Sequence, residues 1–61
     1  MTSREVVKIL KKNDFEEVSQ NGSHLKLSNG ELITIVPIHG AKDLPIGTIK
    51  NIEKQSGVKL R

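Results

Sequence analysis

The chain has 61 residues, which is enough for one small domain. It contains one phenylalanine and no tryptophan, tyrosine or cysteine. The composition therefore argues against a disulfide framework, a thiolate metal site and an aromatic platform for single-stranded nucleic acid. Ten basic and seven acidic residues give a net charge of +3, a mild bias toward polyanions that falls well short of a dense basic patch.

No segment has the apolar length of a signal-peptide core or of a membrane span. Because the chain also lacks cysteine, we expect a cytoplasmic protein with no membrane association. We expect residues 1–61 to form a single domain whose core is built from valine, isoleucine and leucine.

The first predicted element is a helix over residues 3–13. Thr2 and Glu5 fit a capping box, in which the hydroxyl accepts from the first turn and the carboxylate reaches back. Val6, Ile9 and Leu10 follow at helical spacing, and the lysines of this segment fall on the other side. The pattern therefore predicts an amphipathic helix.

Three strands are predicted next, joined by Asn21-Gly22 and Asn29-Gly30, because Asn-Gly favours a two-residue type I′ turn. The resulting register pairs His24 with Ser19 on one side and with Ile35 on the other. In this register the packed face carries Val18, Leu25, Leu27, Leu32 and Val36. The open face carries Glu17, Ser19, His24, Lys26, Ile33 and Ile35, with Glu17 opposite Lys26.

The last predicted element is a second helix that starts near Pro45. Pro37 ends the third strand because proline cannot donate to a ladder, and residues 38–44 form a loop. An apolar stripe follows the helix, which stops at Gly57; the stripe consists of Ile46, Ile49 and Ile52. We expect Val58 and Leu60 to cover the end of the core. The order α-β-β-β-α predicts an α+β fold, a three-stranded antiparallel sheet with both helices on one face.

The residues that can carry chemistry are His24 and Lys26, two positions apart on one open strand face and hence about 7 Å apart along the strand. An imidazole can take a proton from a ribose 2′-hydroxyl near neutral pH, and a nearby ammonium can stabilise charge on the attacked phosphate. From these residues alone, an ordinary surface histidine is favoured over a catalytic one. No metal-ligand spacing or phosphate-binding glycine loop is present, and Ser23 and His24, as strand neighbours, point apart.

Other residues are candidates for contact with RNA or with a partner. Gly22 allows a nucleic-acid backbone to approach closely, and His39 lies in a loop that can reach the sheet edge. Lys42 and Lys50 could contact phosphates, although lysines on a helix are usually only its solvated face. Ile33 and Ile35 on the open face suggest a surface that a partner covers.

Three motifs at these intervals resemble the HicA family of toxins. They are Gly22-Ser23-His24, then Val36-Pro37-Ile38-His39, and then Gly47-Thr48-Ile49-Lys50-Asn51-Ile52 running to Gly57-Val58. The resemblance covers essentially the whole chain. It implies a fold like that of double-stranded-RNA-binding domains, which agrees with the predicted order of elements.

The resemblance also implies an mRNA interferase whose catalytic histidine is His24, flanked by Gly22 and Ser23, and a HicB-type antitoxin that covers this histidine. We therefore expect a metal-independent endoribonuclease toxin that needs no cofactor and is a monomer when free. Its RNA contacts would be Gly22, Ser23, Lys26, His39, Lys42 and Lys50, and its antitoxin contacts His24, Lys26, Ile33 and Ile35. The alternatives are a non-catalytic RNA-binding domain and an antitoxin-interaction module on the same fold.

Overall fold

The computed structural model describes residues 1–61, and its elements follow one another in the predicted order. They are α1 (Ser3–Lys12), β1 (Glu16–Asn21), β2 (His24–Ser28), β3 (Ile33–Pro37) and α2 (Ile46–Ser56). The three strands form one antiparallel sheet in the order β1-β2-β3. The predicted α+β fold is confirmed.

Helix α1 begins as predicted at a complete capping box. The Glu5 N–H donates to the Thr2 hydroxyl at 3.2 Å, and the Thr2 N–H donates to the Glu5 carboxylate at 2.7 Å. The helix ends at Lys12, one residue earlier than predicted, with Asn13 as its C-cap. Val6 and Leu10 are fully buried, so the helical spacing of apolar residues correctly identified the packed side.

The first hairpin turns at Gly22-Ser23 rather than at Asn21-Gly22, so the predicted register was wrong. His24 pairs with Asn21, and Lys26 pairs with Ser19. Gly22 has φ +62° and Ser23 does not have a positive φ, which is the pattern of a type II′ turn. A Gly-Ser pair satisfies that turn with one left-handed residue, whereas a type I′ turn needs two.

A β-bulge in β1 changes which side its first residues face. The register shifts between Glu17 and Ser19, so Val18 has no partner of its own on β2. Val18 is 59% exposed, and its predicted place in the core was wrong. Glu17 lies opposite Leu27, and its carboxylate pairs with the Lys11 ammonium at 2.6 Å. The prediction that Glu17 shares the open face with Lys26 was therefore also wrong.

The second hairpin has a four-residue loop, 29–32, instead of the predicted two-residue turn. The Asn29 side chain accepts from the N–H groups of Glu31 at 2.9 Å and Leu32 at 2.7 Å, which stabilises the longer loop. Leu32 consequently lies in the loop, 44% exposed, and its predicted burial was wrong. The register moves by two residues, which leaves every side chain of β2 and β3 on its predicted face.

Helix α2 packs beside β3 and protects its outer edge. The Gln55 side-chain oxygen accepts from the Thr34 hydroxyl at 2.9 Å and from the Ile35 N–H at 3.4 Å. Pro37 ends β3 as predicted, and its ring nitrogen faces the same outer edge, where no ladder hydrogen bond is lost. Gly57 ends α2 with φ +73°, and its N–H donates to the Glu53 carbonyl at 2.8 Å.

One aliphatic core joins both helices to the sheet. Ile49 and Ile52 of α2 are buried, but Ile46 is 56% exposed, so the predicted apolar stripe starts one turn later than expected. Leu60 is buried and Val58 packs against the core, as predicted. The ten core residues are Val6, Leu10, Phe15, Leu25, Leu27, Val36, Leu44, Ile49, Ile52 and Leu60. Neither helix has the length and apolar character that crossing a membrane requires.

Candidate active site on the open face of the sheet

The sheet has one face against the helices and one face free of them. Residues on β2 and β3 alternate between these two faces: Leu25, Leu27, Thr34 and Val36 are buried. Their neighbours lie on the other side, which we call the open face. Its residues on β2 and β3 are His24, Lys26, Ser28, Ile33, Ile35 and Pro37. The open face thus contains four of the residues that the sequence predicted there: His24, Lys26, Ile33 and Ile35.

His24 is the first residue of β2 and is exposed. The Ile38 N–H donates to the Ser23 carbonyl at 2.6 Å, which makes the adjacent His24–Pro37 pair a non-hydrogen-bonded pair, the kind with the closest side chains. The Gln20 amide donates to the Gly22 carbonyl at 3.1 Å across the turn. The backbone of His24 is therefore held from both neighbouring strands while its imidazole stays accessible.

Lys26 follows on the same face of β2 and is half-buried beside Ile35. The ion pairs of the protein are Met1–Asp43, Lys11–Glu17 and Glu53–Arg61. None of them involves Lys26, so its ammonium is available to an external anion. Lys26 follows His24 by two residues, which corresponds to about 7 Å along the strand.

A polar row on β2 runs beside an apolar row on β3. The polar row consists of His24, Lys26 and Ser28, and the apolar row consists of Ile33, Ile35 and Pro37. Ile33 is 55% exposed, and Ile35 is half-buried. Each polar residue thus has an apolar neighbour on the adjacent strand, which makes the surface suitable for a partner that presents both chemistries.

The turn and the loop after β3 meet at the end of the sheet where His24 lies. A Cβ atom at Gly22 would have no heavy atom within 4 Å, so the backbone of this turn is open to close approach. His39 follows Ile38, whose N–H donates a hydrogen bond to the Ser23 carbonyl. The Lys42 N–H in turn donates to the His39 carbonyl at 3.2 Å. Gly22, Ser23, His39 and Lys42 are therefore brought to one end of the molecule with His24.

Lys50 is not brought to this surface. It is exposed on α2, which packs on the face of the sheet opposite to His24. A single stretch of bound RNA that contacts His24 on the open face would have to pass around the sheet to reach Lys50.

The structure places Asn21 beside His24, which the sequence did not predict. It lies directly opposite His24 on β1, and its side-chain amide can both donate and accept. The prediction placed Asn21 inside the turn and therefore out of the pairing. The Gly-Ser dipeptide, itself a hairpin signal, is the feature that could have identified it.

No group of three or more histidine, aspartate or glutamate side chains comes together in a way that could hold a metal ion. The two carboxyl groups with shifted pKa values lie away from the open face. Hydrogen bonds from Thr2 keep the pKa of Glu5 below its ordinary value, and the Leu60 N–H does the same for the pKa of Glu53. Both shifts belong to the ends of the helices.

Two comparisons with known proteins bear on this site. The family described as HicA toxin of bacterial toxin-antitoxin matches residues 3–58 of the chain. A protein of Pseudomonas fluorescens (strain Pf0-1) named "Probable mRNA interferase HicA" is 42% identical over 50 residues, which cover 82% of this chain and 83% of that protein. The family match over residues 3–58 includes all three strands and the whole open face.

Proposed function

The chain belongs to the HicA toxin family of bacterial toxin–antitoxin systems. On this basis we propose that it is an endoribonuclease that cleaves mRNA and that His24 is its catalytic base. The relative's name specifies an mRNA interferase. The observation that carries the assignment to His24 is its accessible imidazole on a fixed strand, with an unpaired ammonium two residues along.

The reaction uses RNA itself as the source of the nucleophile. The imidazole of His24 accepts the proton of a ribose 2′-hydroxyl, and the 2′-oxygen attacks the adjacent phosphorus. The bond from phosphorus to the 5′-oxygen of the next nucleotide breaks, and that oxygen takes up a proton. The products are a 2′,3′-cyclic phosphate and a 5′-hydroxyl. DNA lacks the 2′-hydroxyl and cannot follow this route.

Lys26 assists by electrostatics. Negative charge builds on the phosphate oxygens as the 2′-oxygen attacks, and an ammonium on the same strand face stabilises it. The Asn21 amide is placed across the strand pair from His24, where it can donate to the same phosphate. Gly22, Ser23, His39 and Lys42 supply further contacts to the RNA backbone at this end of the sheet, while Lys50 contributes only to the general positive field.

The natural partner is a HicB-type antitoxin that covers the open face. Its contacts are His24, Lys26, Ile33 and Ile35, so bound antitoxin excludes RNA from the catalytic histidine. The apolar row on β3 supports this role because a partner gains most by covering exposed aliphatic side chains next to polar ones. Without its antitoxin the toxin is a monomer.

The experiment is RNA cleavage by purified protein in the presence of a metal chelator, comparing His24→Ala with His39→Ala. Loss of a general base lowers the cleavage rate by about 10²–10⁴-fold. We expect this loss for His24→Ala and a much smaller effect for His39→Ala, the matched control in the chain's other histidine. Cleavage by His24→Ala at the wild-type rate would exclude His24 from the mechanism. RNA binding without any cleavage by the wild-type protein would point to a non-catalytic RNA-binding domain.

A further inference from the structure

A cleft of about 630 Å³ opens between the start of α1 and the loop that follows β3. Its walls are aliphatic, and they come from three separate parts of the chain: Val7 of α1, Leu25 of β2, and Ile38 with Ala41 of the loop. Its volume falls within the range of small-molecule binding sites. The open face contributes none of these residues, so the cleft is a separate feature of the surface.

A serine hydroxyl lies at the boundary of this cleft. Ser3 is only 2% exposed, and it lines the cleft at the first turn of α1. The side-chain hydrogen bonds at this end of the helix join Thr2 with Glu5 and leave the Ser3 hydroxyl unused. A hydroxyl that can both donate and accept is therefore available to a polar group that enters the cleft.

The surroundings of the cleft favour a polyanion. Arg4 lines the cleft, Lys8 lies one helical turn further along α1, and Lys42 follows Ala41 in the loop. The two nearby carboxylates already have partners: Glu5 accepts from the Thr2 N–H, and Asp43 pairs with the Met1 ammonium. The net charge at the entrance is thus positive, because Arg4, Lys8, Lys42 and the Met1 ammonium outnumber the carboxylates of Glu5 and Asp43.

The cleft is close to His24 through the backbone. Leu25, which lines the cleft, is the residue after His24, and Ile38 is hydrogen-bonded to Ser23, the residue before it. The cleft and the imidazole therefore occupy opposite sides of the same strand end. An RNA strand that presents its scissile phosphate to His24 can bend around this end and bring a neighbouring nucleotide to the cleft.

We propose that the cleft binds an unstacked base of the RNA next to the cleavage point and so contributes to sequence preference; this rests on the proposed cleavage of RNA. The aliphatic walls pack against the two faces of the base, in the way that apolar side chains hold bases taken out of a stack. The Ser3 hydroxyl bonds to the edge of the base, and Arg4 contacts the phosphate that follows it.

The first test measures binding alone and does not depend on catalysis. Amide signals of the His24→Ala protein are followed by NMR while short single-stranded RNAs of each of the four bases are added. We expect the signals of Ser3, Ile38 and Ala41 to shift, with one base giving the largest shifts. Shifts confined to the open face, or no binding of any RNA, would overturn the proposal.

The second test measures cleavage preference. Ala41→Leu fills the cleft from an exposed loop position, and Ala41→Ser is the matched control that leaves it open. With a pool of random RNA, we expect Ala41→Leu to reduce base preference at one position beside the cut by about tenfold, because an apolar pocket distinguishes ligands by about this factor per methylene. Ala41→Ser keeps the wild-type preference.

The outcomes separate the two proposals. An unchanged cleavage pattern with Ala41→Leu overturns the base-binding cleft and leaves cleavage at His24 intact. Weaker antitoxin binding with an unchanged pattern also overturns it, because the cleft then belongs to the protein partner. Base-specific shifts in a protein whose wild type does not cleave RNA would support the cleft and overturn the proposed catalysis.

Discussion

At the scale of single residues, the position of His24 depends on hydrogen bonds that other residues make. The Ile38 N–H donates to the carbonyl of Ser23, and the Gln20 side-chain amide donates to the carbonyl of Gly22, so both contacts hold the turn that precedes it. These contacts fix the start of β2 without engaging the imidazole. A catalytic base needs this combination, because its placement must be rigid while its nitrogen atoms stay free for substrate.

Two lysines provide a residue-scale prediction. Lys26 lies on the open face near His24, and Lys50 lies on α2 on the other side of the sheet. We expect Lys26→Ala to lower the rate of RNA cleavage by about 10–100-fold, less than loss of a fully preorganised donor because the ammonium is partly solvated. Lys50→Ala removes the same charge and should leave the single-turnover rate almost unchanged. Equal effects of the two substitutions would mean that only net charge matters.

At the scale of elements, the two glycines of α2 should respond to alanine with opposite signs. Gly57 has φ +73° at the end of the helix, and a side chain in that conformation costs about 1–2 kcal/mol. Gly47 lies in the first turn with open space around its Cβ position, so Gly47→Ala should stabilise by about 0.5–1 kcal/mol. Urea denaturation of both variants checks this. Stabilisation by Gly57→Ala would contradict the left-handed cap.

The helix ends also predict an acid dependence of stability. The pKa values of Glu5 and Glu53 are lowered in the folded protein by hydrogen bonds from Thr2 and Leu60. A depressed folded-state pKa adds stability above the unfolded value of about 4.3, and this is lost as pH falls through the folded value. Unfolding free energy should therefore decrease below about pH 4.3.

Substitution identifies the groups responsible for this acid dependence. Glu5→Gln keeps an acceptor for the Thr2 N–H but does not titrate, so it should flatten the loss of stability at low pH. Glu31→Gln is the control, because the carboxylate of Glu31 makes no ion pair or hydrogen bond in its loop. Urea denaturation at neutral and acid pH measures both. An unchanged acid slope in Glu5→Gln would rule out the capping box as its source.

The elements themselves were predictable, but the way the strands pair was not. Capping residues, helical spacing and Pro37 each act locally, and they correctly predicted the helices and the end of β3. Both hairpin registers depended on which residues of an ambiguous turn take positive φ. The Asn29 side chain stabilises a four-residue loop by accepting hydrogen bonds from two backbone N–H groups. This interaction competes with the type I′ turn, and the spacing of residue types in the sequence does not reveal it.

At the scale of the whole molecule, most of the open face was nevertheless predicted, for a reason particular to sheets. The β2–β3 register moved by two residues, and a shift by an even number keeps every side chain on its face. Within the sheet, the errors are confined to Val18, Leu32 and Glu17, which lie at the bulge or in the longer loop. The cleft beside α1 could not have been predicted, because it depends on how three distant segments pack.

A pair of substitutions tests the extent of the core. Leu27 is fully buried, and Val18 is 59% exposed at the bulge. Leu27→Ala should cost about 2–5 kcal/mol through lost burial and the cavity that remains, a large part of the total stability of so small a protein. Val18→Ala should change stability by at most about 0.5 kcal/mol. Thermal and urea unfolding provide both values, and a large loss at Val18 would show that the strand packs there.

The bulge at Val18 also affects how the protein behaves in a crowded solution. All six residues of β1 are exposed, and β1 forms the uncovered edge of the sheet, whereas α2 covers the β3 edge. A straight, neutral edge strand is a template for edge-to-edge sheet growth and fibre formation. The extra residue interrupts the regular spacing of edge amides, and Glu16 adds negative charge beside it. Irregularity in β1 thus limits sheet growth from the one strand edge that neither helix covers.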